Sequence, residues 1–334
     1  MNAPALNRPR HGLVADIGGT HARFALAQIS GAGAKISRPA SLPAKDYASP
    51  CAAAAAYLAG QTDRPDHLDF AVFACAGPVQ NDAVTLTNLD WSVDRAEIEH
   101  ELHVTRGRVI NDLEAAALAA PRLSPQDAHQ IGGPEAGQIG GVVAVVGAGT
   151  GFNAAALVRL HDGGQTVIVG EAGHAGFAPV GDLEIEITRR LEQRFGHVSV
   201  ERVLSGPGIL HIYQALAAIK KAPETAASPA EVSVLAAGGD LLATHALEVF
   251  CGALGSAAAN LALTFGARGG VYIAGGIAPN MLSVLTAGGF RARFEAKAPM
   301  EAYLQAIPTS VITQPYAALM GAAEAMTAIV HEIA

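Results

Sequence analysis

Asp16 stands at the end of an apolar, β-rich run, one residue before the turn Gly18-Gly19-Thr20. The same design returns in the second half, where an apolar run meets Gly147-Ala-Gly149-Thr150-Gly151 and a second run follows. A strand, a glycine turn and a strand present backbone N–H groups and a hydroxyl toward one point, which suits phosphate oxygens. Two such turns, each opening one half of the chain, point to two related halves facing each other across a nucleotide. That pattern fits a phosphotransferase better than a dinucleotide fold. A carboxylate beside a phosphate turn is repulsive unless a cation lies between, so Asp16 reads as oriented to Mg²⁺ or its waters. The alternative is an aspartate that satisfies turn amides.

Other candidates follow predicted strands. Asn111-Asp112 comes directly after the strand over 106–110, and strand ends in α/β folds carry catalytic groups. An aspartate there can accept the proton of an attacking hydroxyl, while the adjacent asparagine holds a neighbouring hydroxyl. Taken alone, the pair reads better as the cap of the next helix; taken with the two glycine turns, it reads as catalytic. In Gly170-Glu171-Ala-Gly-His174 a carboxylate and an imidazole sit on a glycine-flanked turn. Together they can bind vicinal hydroxyls; metal ligation or a satisfied surface pair are the alternatives. Glu201 by itself reads as a helix-end or solvated charge. Gly275-Gly276 joins a buried strand to a helix, and its missing side chains leave room for a flat adenine and ribose or simply form a tight turn.

The elements that must position these groups alternate between strand and helix periods. A hairpin is expected over 13–28, helices over 51–60, from a Ser92 cap to about 102, and over 114–120, and strands over 68–74 and 106–110. Residues 88–91 read as a polar connection, and the polar 122–138 segment as a boundary. The second half repeats the opening with strands to 146, from 154 and over 167–169. Helices over 183–195, from a Ser205 cap and over 240–265 follow, then strands over 270–274 and 311–313 and a last helix over 316–333. Strands in groups of three followed by alternating helices and strands, seen twice, indicate duplicated α/β domains.

Composition sets the bounds. The 334 residues suit two domains. A net charge of -8 argues against a nucleic-acid protein, which usually carries a basic face. Cys51, Cys75 and Cys251 form no paired motif, which argues against disulfides or structural zinc and fits a reduced cytoplasm. Residues 1–10 lack the apolar core of a signal peptide. The uncharged stretches 141–158 and 249–267 hold glycines and polar residues, and read as parts of a soluble domain and not membrane spans.

Together these segments resemble the bacterial ATP-dependent glucokinase family, within the hexokinase–actin–Hsp70 superfamily. The carriers are Asp16-Ile-Gly-Gly-Thr20, Ile110-Asn-Asp112, Gly147-Ala-Gly-Thr-Gly151, Gly170-Glu-Ala-Gly-His174, the run from Gly196 to Gly208 and Ile273-Ala-Gly-Gly-Ile277. The resemblance implies two RNase-H-like α/β domains with a cleft between them, over 11–122 plus 314–334 and over 123–313. It implies Asp112 as the catalytic base for the glucose 6-hydroxyl, and Asn111, Glu171, His174 and Glu201 as partners of the other sugar hydroxyls. Gly18, Gly19 and Thr20 match the first phosphate loop, Gly149, Thr150 and Gly151 the second, and Gly275-Gly276 the adenosine turn. Asp16 matches the carboxylate near Mg²⁺. The implied protein is a cytoplasmic homodimer that uses ATP, Mg²⁺ and glucose. The alternatives are a kinase of another hexose, such as mannose or fructose, and a catalytically weak sugar-binding regulator.

Three departures from the family pattern stand out. Phe152-Asn153 stands where Leu-Gly is expected, His21 where Asn is more frequent, and Ala172 where Gly is frequent. The related ROK group shares Glu-x-Gly-His but adds a zinc-binding cysteine cluster. No cysteine lies between Cys75 and Cys251, which disfavours that group. A sugar-responsive repressor is disfavoured too, because no helix-turn-helix precedes Leu13.

Overall fold

A computed structural model describes residues 9–30, 33–86, 89–161 and 163–333. The expected connection at 88–91 begins outside the described residues, as do the first eight residues of the N-terminal stretch. The chain divides into two units: residues 1–123 with 314–334, and residues 124–313.

The first unit is built on β1 (Arg10–Ile17), β2 (His21–Ser30), β3 (Gly33–Pro43) and β4 (Phe70–Cys75), with the helix α1 (Pro50–Ala59) between β3 and β4. A small hairpin, β5 (Ala83–Thr85) and β6 (Ser92–Asp94), precedes α2 (Arg95–Glu101), and β7 (Arg106–Asn111) runs into α3 (Asp112–Ala119). The sheet order is β3-β2-β1-β4-β7. β1, β2 and β3 are antiparallel, whereas β4 and β7 lie parallel to β1. β4 is buried along its whole length, as a strand covered on both faces must be. On one face Phe24 stacks on Tyr57 of α1, with ring centroids 5.6 Å apart. The C-terminal helix Ala317–Ile333 packs against α3 and the sheet. A side chain at Gly321 would collide with the Ala115 carbonyl, so this contact brings the two helix backbones together.

Unit two repeats the plan. Its strands are β8 (Ala128–Gly132), β9 (Val143–Ala148), β10 (Phe152–Arg159), β11 (Gln165–Val169), β12 (Gly270–Ala274) and β13 (Thr309–Ile312), in the order β11-β10-β9-β12-β13-β8. Again three antiparallel strands are followed by two parallel ones. β8 is an addition, antiparallel at the far edge. Between β11 and β12 lie α4 (Gly181–Phe195), α5 (Val200–Val203), α6 (Gly206–Lys220), α7 (Pro229–Ala237) and α8 (Leu241–Phe265). After β12 come α9 (Ile277–Asn280), α10 (Leu282–Thr286), α11 (Gly289–Glu295) and α12 (Glu301–Gln305). α8 is long and apolar enough to cross a membrane by length and composition, but two-thirds of its most apolar window is buried inside the protein. It packs on α6, α7 and α11.

Three local expectations are corrected. Asp94, not Ser92, caps α2 by accepting the Glu97 N–H at 2.8 Å; Ser92 lies in the short strand β6. The boundary expected over 122–138 falls after Leu123, and the segment is not all linker, because part of it forms the edge strand β8. The helix expected from 114 begins at Asp112, with Asn111 as its cap.

Candidate functional site

In the first unit the parallel strands end together. Ile17 of β1 pairs with Cys75 of β4, and Cys75 with Asn111 of β7. Adjacent strands lie about 4.8 Å apart. Asp16 and the Asn111-Asp112 pair therefore share one carboxyl edge of the sheet, one strand apart. Cys75 lies between them. Its thiol is pushed above its usual range, first by burial and then by the Asp112 and Asp16 carboxylates.

Asp16 pairs with Arg23 on the neighbouring strand, Nη1 to Oδ2 at 2.8 Å. Burial raises the Asp16 carboxyl above its ordinary value, and Arg23 opposes that rise. The Gly18 N–H donates to the His21 carbonyl at 3.0 Å and tightens the first turn. Gly19 and Thr20 are exposed at its tip. Asn111 is 8% exposed. Its Oδ1 accepts the Leu113 N–H and its Nδ2 donates to the Gly77 carbonyl, both at 2.9 Å. The cap expected of this position is thus present. Asp112 is the first residue of α3, where its negative charge meets the positive end of the helix, and its Oδ1 accepts the Leu113 N–H at 2.9 Å.

The second unit gathers the remaining candidates. Gly149 N–H donates to the Gly151 carbonyl at 2.9 Å, and the Gly149 carbonyl accepts the Gly206 N–H at 2.8 Å. The second glycine turn is therefore tied to the first turn of α6, which Ser205 caps at Gly208 N. Gly275 has φ +98°, and any side chain there would strike the Ala148 carbonyl. Asn280 Nδ2 donates to the Gly276 carbonyl at 2.9 Å and holds the Gly-Gly turn. Beside that turn a cavity of about 620 Å³ is lined by Thr244, Leu247, Glu248, Asn280, Met281 and Val284 among others.

The Glu171–His174 turn is fastened from two sides. Val200 N–H donates to the Ala175 carbonyl and Phe177 N–H to the Val198 carbonyl, each at 2.9 Å. His197 Nε2 lies 3.2 Å from the His174 carbonyl. These bonds join the turn to the segment that carries Glu201. Glu201 Oε2 accepts the Phe152 N–H at 2.9 Å, so this carboxylate also anchors the second glycine turn. Gly173 faces the Phe152 carbonyl so closely that a β-carbon would overlap it. Glu171, His174, Glu201 and the second glycine turn thus form one connected cluster.

Among the described residues no group of three or more His, Cys, Asp or Glu stands ready to hold a metal ion. Asp16 supplies a single carboxylate with one oxygen on Arg23. This suits Mg²⁺ that arrives on nucleotide phosphates and keeps its waters, which usually needs only one or two protein carboxylates. Arg23, Asn280, His197 and the lining of the cavity were not singled out in the sequence. Nothing local in the sequence marks Asn280 as a support for Gly276.

Comparison with known proteins places these observations. The family model described as Glucokinase matches residues 13–329. A glucokinase of Caulobacter sp. (strain K31) is 46% identical over 322 residues, covering 96% of this chain and 97% of that protein. A glucokinase of Neisseria meningitidis is 41% identical, covering 94% of each. The crystal structure of a glucokinase from an Antarctic psychrotroph superposes with a TM-score of 0.87 at 38% identity, over 95% of this chain and 99% of that one.

Proposed function

The chain belongs to the glucokinase family, and we propose that it transfers the γ-phosphoryl group of ATP to the 6-hydroxyl of glucose. The observation that carries this reading is the shared carboxyl edge of the first sheet, where the Asp16 turn and Asn111-Asp112 lie one strand apart. A phosphate turn and a candidate base on one edge are what phosphoryl transfer to an alcohol requires.

Glu171, His174 and Glu201 bind sugar hydroxyls, with Asn111 supporting the reacting end. The 6-hydroxyl is oriented by Asp112, which accepts its proton as the O6–P bond forms and the bond from the γ-phosphorus to the β-bridging oxygen breaks. ADP leaves with the electron pair of that bond. General-base help of this kind contributes roughly 10²–10⁴ in rate. The turn amides at Gly18–Thr20 and Gly149–Gly151 meet the phosphates, while Gly275-Gly276 and the adjoining cavity receive adenosine. Asp16 would hold Mg²⁺ that comes with the nucleotide, and the ion would supply charge neutralisation at the phosphates. The cytoplasmic location and homodimer belong to the same reading, as the family resemblance implies.

The test is to incubate the purified protein with Mg-ATP and a panel of hexoses, following sugar 6-phosphate and ADP together. Stoichiometric product, with kcat/KM for glucose well above mannose and fructose, is expected. Product from another hexose alone moves the substrate assignment, and glucose binding without product overturns the kinase reading.

A further inference from the structure

We propose that Asn153 is a positioning residue for Glu171, presenting that carboxylate to the sugar with one oxygen already engaged. The proposal rests on the assignment of Glu171 to the sugar. Asn153 is the second residue of β10, directly after the second glycine turn. Its Oδ1 accepts the Ala172 N–H at 3.0 Å, and its Nδ2 donates to Glu171 Oε2 at 3.3 Å. One short side chain therefore grips both the backbone and the carboxylate of the neighbouring turn.

The orientation of the amide follows from the bonds themselves. Oδ1 faces two backbone donors, Ala172 N–H and its own neighbour Ala154 N–H at 2.8 Å. A flipped amide would set donors against donors and an oxygen against the carboxylate. Asn is the residue type that meets both demands, because Asp lacks the donor and Ala lacks both groups.

The need for such a grip comes from Glu171. It is exposed, and it precedes a single turn of 3₁₀ helix over Ala172–His174. A free glutamate side chain gives up rotamer entropy when ordered. Ordering it before the sugar arrives removes that cost from binding. With Oε2 held by Asn153, Oε1 is the oxygen turned to the ligand. Two of the positions set apart in the sequence, Asn153 and Ala172, meet in the bond from Ala172 N–H to Asn153 Oδ1. Glu201 and His197 fasten the same cluster, but through Phe152 N–H and the His174 carbonyl, so neither replaces the bond to Glu171.

The test uses the full-length enzyme and compares Asn153→Ala, Asn153→Asp, Glu171→Gln and the Asn153→Ala/Glu171→Gln double variant. Substrates are glucose and its singly deoxygenated analogues. For Asn153→Ala the glucose KM should rise roughly three- to tenfold, the size of one hydrogen bond, with kcat and the ATP KM within twofold. The loss should vanish for the same deoxy analogue that removes the effect of Glu171→Gln. The double variant should be no worse than Glu171→Gln alone, as expected for groups acting as a unit. Asn153→Asp keeps the acceptor for Ala172 N–H but sets a second carboxylate against Glu171, so its glucose KM should rise at least as far. A wild-type glucose KM in Asn153→Asp overturns the proposal. So does a loss in Asn153→Ala that is equal for all sugars or additive with Glu171→Gln, since either marks a purely structural role. If Glu171→Gln itself leaves glucose KM unchanged, the assignment of the turn to sugar fails and takes this proposal with it. If Glu171→Gln raises KM while Asn153→Ala does not, only the present inference falls.

Discussion

With Asp112 proposed as the base, Asp112→Asn is expected to separate chemistry from binding. The replacement is isosteric, and its Oδ1 can still accept the Leu113 N–H that Asp112 accepts at 2.9 Å. α3 keeps its cap, because that comes from Asn111. The structural loss is one negative charge at a helix N-terminus, about 0.3–1 kcal/mol, a fall in Tm of at most about 4 °C. Glucose loses a charged acceptor but retains a neutral one, so affinity should weaken less than about tenfold. Turnover loses the proton acceptor, a drop of about 10²–10⁴ in kcat, or roughly 2.7–5.5 kcal/mol of barrier. The catalytic effect thus exceeds the other two together. A coupled assay for ADP release gives kcat, calorimetry gives the glucose Kd, and a thermal melt confirms folding. A folded variant with kcat within tenfold of wild type refutes the assignment of Asp112 as base. One that has lost glucose binding instead would make Asp112 a binding group.

Two further outcomes follow from contacts around the site. Burial raises the Asp16 carboxyl and Arg23 opposes the rise, so Arg23→Gln lifts it further. A smaller fraction of Asp16 is then ionised at any given pH, and the acid limb of the kcat profile should move to higher pH. An unmoved limb means that the charge of Asp16 is not needed for turnover. Gly173→Ala places a methyl group against the Phe152 carbonyl and should destabilise the fold by about 1–3 kcal/mol, with a raised glucose KM. An unchanged melting curve would show that the turn yields freely.

Strand–turn–strand units were legible because their signals are local. Apolar runs broken by Gly-Gly-Thr or Gly-Thr-Gly specify strand and tight turn from a few consecutive residues, and β1–β2 and β9–β10 lie where those patterns put them. The Ser205 cap and the long helix over 240–265 were readable for the same reason. Edge strands were not. Residues 128–132, Ala-His-Gln-Ile-Gly, carry no apolar run and only Ile131 is buried, because β8 has a partner on one side alone. Nothing in its own residues announces β13 as that partner. The cap of α2 fell on Asp94 because Ser92 is drawn into pairing with Thr85.

The amino-acid sequence by itself determined the repeated α/β plan and the chemical types available: two phosphate-suited turns, an Asn–Asp pair at a strand end and a Glu–His turn. These follow from periodicity and short-range sterics, which act within a few residues. Only the tertiary structure decided which groups meet. Arg23 reaches Asp16 through the β1–β2 register, Glu201 reaches Phe152 N–H across 49 positions, and Asn153 reaches Glu171 across 18. Asn153 departs from the family pattern beside a phosphate turn, and the fold gives both ends of its amide a partner. Contacts of that kind depend on strand register and on how turns are fastened to one another. They arise from packing of the whole unit, which a local run of residues does not encode.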